Sequence, residues 1–215
     1  MSASIPFIRR ILPILHFSMV LLVVAYSIPG KAENCFTDSP TKNSQRAITS
    51  EIQDRDITKS EYKDLKKLFQ SLEGRWSGTV SETICRGRVS AASKEVHTYT
   101  VEPKISFEHS ETFFLESIWR SQEKRTSRIE NLELILTKNR LRVGVDAPAG
   151  DIELIKGTNN FLVFLKKDNI RNPSGGLVTQ EIVRSISHTG NSLSIEYLLH
   201  TNGLLSSFSL WELTR

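Results

Sequence analysis

From residue 75 to its last residue the chain alternates apolar and polar side chains with period two, the signature of half-buried β-strands. His97, Tyr99, Val101, Ile105 and Phe107 fall on one parity, and Thr98, Thr100, Glu102, Lys104 and Ser106 on the other. Pro103 shares the apolar parity and points to a bulge or an edge position, because proline cannot donate to a ladder. The pattern predicts strands near 75–85, 94–107, 111–121, 126–137, 140–145, 151–156, 160–167, 177–187, 192–200 and 204–214, about ten in all. Asn139-Arg140, Pro148-Ala149-Gly150, Thr158-Asn159-Asn160, Pro173-Ser174-Gly175-Gly176, Gly190-Asn191 and Asn202-Gly203 punctuate them. Asn-Gly between two alternating runs is the strongest short hairpin signal among these.

One helix precedes the strands. Thr58-Lys59-Ser60-Glu61 reads as a capping box, a hydroxyl at the N-cap and a carboxylate three residues on. Tyr62, Leu65, Leu68, Phe69 and Leu72 then form a single apolar stripe at helical spacing, with Lys63, Lys66 and Lys67 on the wet side. Gly74 stands where a left-handed residue ends a helix. A lone amphipathic helix must bury its stripe on the strands that follow, across one mouth of the sheet. Many strands in sequence, joined by tight turns, predict antiparallel neighbours, and closure into a ring removes exposed edges. The expected fold is all-β: an antiparallel up-and-down β-barrel of about ten strands behind one N-terminal amphipathic helix. A two-sheet sandwich is the alternative.

Upstream of the helix, Arg9 and Arg10 precede an apolar run from Ile11 to Ile28, which ends in Pro29-Gly30-Lys31-Ala32. A basic start, an apolar middle and small residues at 30 and 32 predict a secretory signal peptide over 1–32, and hence an exported chain, periplasmic or secreted. A retained membrane anchor and a lipid-modified Cys35 are the alternatives. The domain reading is then a signal over 1–32, a polar, partly disordered lead-in over 33–57, and a β domain over 58–215 that includes the helix at 58–73. Cleavage changes the charge. The pI of about 9.1 suggests a nucleic-acid binder, but Arg9, Arg10 and Lys31 leave with the signal. Lys+Arg falls from 28 to 25 against 24 Asp+Glu, a net of +1. No basic run with interleaved aromatics remains to grip phosphates, so nucleic acid is excluded as a partner. Stable membrane insertion after cleavage is not expected. Cys35 and Cys85, the two cysteines of an exported chain, are expected to pair, with two free thiols or intermolecular pairing through Cys35 as the alternatives. Closing a loop of about 50 residues is worth roughly 4 kcal/mol in chain entropy.

Gly74-Arg75-Trp76 opens the first strand, and Arg215 ends the last. In this the chain resembles the lipocalin and fatty-acid-binding superfamily, the calycins, over roughly residues 60–215. The resemblance implies that Trp76 plugs the barrel floor and that the Arg215 guanidinium lies over its indole. The spacing Gly74, Trp76, Gly78 is nearest to the nitrobindin-like ten-stranded barrels, which hold haem through a histidine in the last strand. Phe208 stands at the corresponding place, between Ser207 and Ser209, so no haem is expected by that route.

No catalytic motif, phosphate loop, dinucleotide fingerprint or metal-ligand spacing occurs, so no catalytic residue, metal or cofactor is predicted. His97, His109, His188 and His200 lie on different strands or turns. His97, Tyr99, Val101, Phe113, Trp119 and Phe208 are the candidate ligand-lining residues. Phe113, Leu115, Ser117 and Trp119 form the expected inner face of their strand; on the reversed parity Glu116 and Arg120 would pair inside. Lys166 to Asn172 reads as a solvated loop. These features point to an exported barrel carrying a small apolar or amphipathic molecule. A filled structural barrel that engages an envelope partner is the alternative, and an enzyme finds no support in the residues.

Overall fold

The computed structural model describes residues 56–88, 91–121, 123–144, 152–172 and 174–215. The predicted signal peptide and nearly all of the lead-in, Cys35 included, lie outside them. The helix α1 spans Lys59–Leu72 and is capped as its sequence dictates: the Thr58 hydroxyl accepts from Glu61 N–H while the Glu61 carboxylate accepts from Thr58 N–H. Its stripe is fully buried at Leu65, Leu68, Phe69 and Leu72. Gly74 follows with φ 125°, a conformation that glycine alone adopts freely.

Among the described residues twelve strands follow: β1 (Gly74–Arg75), β2 (Ser77–Arg88), β3 (Ala91–Val101), β4 (Lys104–Glu108), β5 (Thr112–Ser121), β6 (Ser127–Leu136), β7 (Leu141–Val143), β8 (Glu153–Gly157), β9 (Phe161–Arg171), β10 (Leu177–Thr189), β11 (Ser192–Thr201) and β12 (Leu204–Thr214). Two of the ten expected strands are divided. The run at 75–85 breaks at Trp76 and the run at 94–107 breaks at Glu102-Pro103. The two breaks face each other, with Trp76 N–H donating to Pro103 O at 2.9 Å. Beyond this corner β1 pairs with β4, and before it β2 pairs with β3. Pro103 therefore ends a strand instead of bulging one. The stretch expected as a solvated loop, 166–172, is mostly strand. β9 continues through Lys167 opposite Glu181 and Arg171 opposite Leu177, because a charged pair on the wet face of a hairpin satisfies the ladder as well as an apolar one does.

All pairings are antiparallel within one sheet, running β4-β5-β3-β2-β12-β11-β10-β9-β8, with β6 beside β5 and β7 beside β6. The expected closed barrel does not form. Among the described residues neither β7 nor β8 has a partner beyond its one neighbour, so the sheet curls but leaves a seam between them. Both edges are blunted in ways that discourage pairing. β7 is three residues long, and β8 carries a register shift between Leu154 and Lys156.

The concave face holds the main core, where Phe69 of α1 packs on Phe107 and Phe113 at centroid distances of 5.5 and 4.7 Å. The helix also sits close on β8, where a Cβ on Gly157 would lie 3.0 Å from Leu65. Burial on the order of 25 cal/mol per Å2 of apolar surface makes this packing the main stabilising term. Cys85 is buried on β2 beside Ala92 and Leu204. No helix among the described residues is long and apolar enough to cross a membrane.

Candidate functional site

At the helix end of the sheet, Trp76 is buried and donates from Nε1 to Leu72 O at 2.8 Å. The Arg215 guanidinium lies 4.5 Å from the centroid of its ring. The same guanidinium donates to Ser71 O and Glu73 O, each at 3.0 Å. These carbonyls end α1 without intrahelical partners, so Arg215 satisfies the helix terminus and covers the indole together. This end is a structural plug.

Higher in the concave face the side chains turn polar. Glu82 is buried and accepts from Arg128 Nη2 at 2.8 Å and from the Tyr99 hydroxyl at 3.2 Å. Arg128 lies over Trp119, 3.9 Å from its centroid, and Trp119 meets Trp211 edge-on at 5.0 Å. Burial, and next the Glu82 carboxylate, push the Tyr99 hydroxyl above its usual pKa. Trp119 Nε1 and Ser117 Oγ are buried with no hydrogen-bond partner.

Beside this cluster, at the seam, opens a cavity of about 210 Å3. Glu130, Leu132 and Val143 wall it from β6 and β7, and Phe164, Lys166, Arg184 and Tyr197 from β9, β10 and β11. Arg184 is its distinctive residue. Its side chain is 13% exposed, its nearest carboxylate is Glu130 at 3.9 Å, and its guanidinium lies 4.9 Å from the Tyr197 centroid. No described residue accepts a hydrogen bond from it. Burial pulls its pKa below the usual guanidinium range, with Glu130 acting the other way, and burial raises that of Tyr197. Lys166, 5% exposed, is already held by Asp168 at 2.6 Å. A guanidinium presents five N–H donors, and leaving them unused in a nearly buried place is costly. The cavity thus offers an apolar wall and one desolvated cation that is paired loosely with Glu130 and makes no hydrogen bond to a described residue. No cluster of metal-ligating side chains occurs among the described residues.

The residues predicted to line a site are placed otherwise. Val101, Phe113 and Trp119 face the concave side but are packed solid. Tyr99 is tied to Glu82, and His97 is half-buried, 3.5 Å from Glu95. None of these five borders the cavity. Phe208 lies on the convex face, packed with Leu198 and Val183. Glu116 and Arg120 are exposed, and Arg120 pairs with Glu102 at 3.3 Å on the outer surface, so the reversed parity is wrong. Sequence reasoning passes over Arg184, Glu130 and Lys166. A signal exists nonetheless: Arg184 shares parity with Ile182 and Ile186, Glu130 with Leu132 and Leu134, and Lys166 with Leu162 and Phe164.

No family model and no curated protein sequence matches the chain. Among solved structures, similarity extends to a protein described as an oleoyl thioesterase from Lactobacillus plantarum, at 10% identity over 72% of this chain and 83% of that one, with a TM-score of 0.17. It extends also to an inactive mutant of the CurK dehydratase, at 12% identity over 81% of this chain and 88% of that one, again with a TM-score of 0.17.

Proposed function

We propose that this chain is an exported binding module whose cavity at the seam takes one small amphipathic molecule, its anionic group on Arg184 and its apolar part against Phe164 and Leu132. The observation that carries this is Arg184 itself: a nearly buried guanidinium with no hydrogen bond, on the wall of an open cavity. A carboxylate there would accept two parallel N–H bonds, the strongest arrangement a neutral-pH anion can find on one side chain. The cavity is smaller than the roughly 300–1,000 Å3 of drug-sized sites, which favours a short ligand. Glu130, 3.9 Å from Arg184, must yield as the anion arrives.

Native mass spectrometry of protein purified from its own host, followed by titration with a medium-chain fatty acid and the matching alcohol, tests the reading. The acid should bind at least tenfold more tightly than the alcohol, and Arg184→Gln should erase the difference. Equal affinity for acid and alcohol, or no binding of either, sinks it. Export belongs to the same proposal: the intact mass of host-derived protein should correspond to a chain starting at Glu33.

One observation favours a second reading, a filled structural module that acts through its surface. Most of the concave face is occupied by the chain's own Phe69, Phe113, Trp119 and Trp211. Absence of any bound or titratable small molecule would favour it.

A further inference from the structure

Two buried donors on the concave face lack an acceptor among the described residues. Ser117 Oγ and Trp119 Nε1 each belong to a residue 1% exposed, and neither has a hydrogen-bond partner. An unpaired buried O–H or N–H is costly, so its presence calls for a state in which it is used. The pairing of β5 with β6 shows what stands beside them. Ser117 lies directly opposite Glu130, and Trp119 directly opposite Arg128. Side chains so placed on one face have Cβ atoms about 4.5–5.5 Å apart, within reach of a glutamate carboxylate. Yet Glu130 turns to the seam instead, where its carboxylate lies 3.9 Å from Arg184 Nη2. Behind these two charges is a chamber of about 10 Å3, walled by Leu115, Glu130, Leu132, Arg184, Ile195 and Trp211. It has room for about one water-sized group. Ser117 stands beside this chamber, next to Leu115 along its strand face and opposite Glu130 across the ladder.

We propose that Ser117 receives the Glu130 carboxylate when an anion occupies Arg184. This rests on the ligand reading of the cavity and supplies the step that reading requires, a destination for the displaced carboxylate. Charge selects the inward position over the outward one. On the cavity side Glu130 would face the arriving anion and also Glu133, which borders the same cavity. On the chamber side it meets the Ser117 hydroxyl, with the Trp119 N–H on the next residue of the same face. The nearest cation there is Arg128, which binds Glu82 and lies on the Trp119 ring, 3.9 Å from its centroid. The Ser117 hydroxyl donates and a Glu130 carboxylate oxygen accepts, a charge-assisted bond stronger than one between neutral groups. Ser117 is thereby a positioning residue. It touches no ligand, but it holds Glu130 clear of the guanidinium, whose N–H groups then all face the ligand carboxylate. An uncharged ligand leaves Glu130 where it is and Ser117 idle.

The test uses the whole chain purified from its own host. Ser117→Ala should weaken binding of a medium-chain fatty acid by about threefold or more, the scale of one hydrogen bond. Binding of the matching alcohol, which does not displace Glu130, should stay within about twofold. In a Glu130→Ala background the same substitution should leave the acid unaffected. Weakening of acid and alcohol alike, or of neither, overturns the proposal. A ligand-free comparison separates it from the ligand reading. Arg184→Met takes the cation from Glu130, so the carboxylate should turn to Ser117 with no anion present. Ser117→Ala should then lower the urea midpoint in the Arg184→Met chain and not in the parent. Equal shifts in the two backgrounds overturn the proposal. Should the parent bind no fatty acid, the ligand reading of the cavity fails on its own, and the urea comparison still decides whether Glu130 turns to Ser117.

Discussion

His109 and Ser110 turn the chain from β4 into β5 with φ of 53° and 59°. Both sit in the left-handed region, where a side chain costs energy that Asn and Gly largely avoid. The Asn202-Gly203 turn adopts the same hand at 50° and 79° with the favoured residues in place. Replacing His109→Asn and Ser110→Gly together should therefore stabilise the fold by about 0.5–1 kcal/mol. The urea midpoint would rise with no change in slope. His200 shows a different kind of cost. It is buried, its Nδ1 has no partner, and burial holds its pKa below 6.5, with Glu181 opposing. The unfolded chain therefore takes up this proton first as the pH falls. The stability His200 permits is complete above about pH 6.5, the unfolded value, and is lost as the pH drops from there towards the lower folded value. Urea unfolding at pH 7.5 and 5.5 should show a difference that shrinks in His200→Leu.

At the scale of elements, the Gly-x-Trp-x-Gly stretch shows why local pattern and tertiary pairing must be read together. Gly78 lies where β2 passes β12, and a Cβ there would sit 2.0 Å from Glu212 O and 3.0 Å from Leu213 Cα, both backbone atoms. Gly78→Ala should cost about 1–3 kcal/mol by overpacking, whereas Thr79→Ala at the neighbouring position should stay within roughly 0.5 kcal/mol. Thermal unfolding of the two variants separates close backbone approach at Gly78 from a general sensitivity of this strand to alanine. The helix is legible to within a residue, because its capping box and apolar stripe are local. Strand positions are legible too, but their division is not. Alternation continues through Trp76 and Pro103 without a break, and only the switch of partner from β3 to β4 shows that the ladder is cut there. For the same reason β9 runs past its expected end at Lys167 to Arg171. Pairing with β10 carries charged residues that single-strand alternation assigns to a loop.

At the scale of the molecule, whether twelve strands close depends on the length and twist of the two edge strands, which alternation does not encode. Closure is one way to remove edges. Here short strands, a register shift and a seam manage them instead. The seam is also what gives the candidate site its place, since the cavity lies between walls drawn from both ends of the sheet. Its residues are readable as charges on apolar parity, but which of them is left without a hydrogen bond depends on how β6 faces β10. That dependence yields the sharpest prediction. A guanidinium kept for structure alone should be missed when removed, because an abandoned partner charge is costly. A guanidinium kept for a ligand is a burden to the free protein. Glu130, the carboxylate beside Arg184, is 33% exposed in its side chain and retains access to water. Arg184→Met, which fills the same volume without charge, should leave the free protein as stable as the parent or more stable by up to about 2 kcal/mol, while lowering affinity for the fatty acid at least tenfold. Chemical denaturation and ligand titration on the same preparation decide between the two roles, since a loss of stability together with unchanged binding would assign Arg184 to the scaffold.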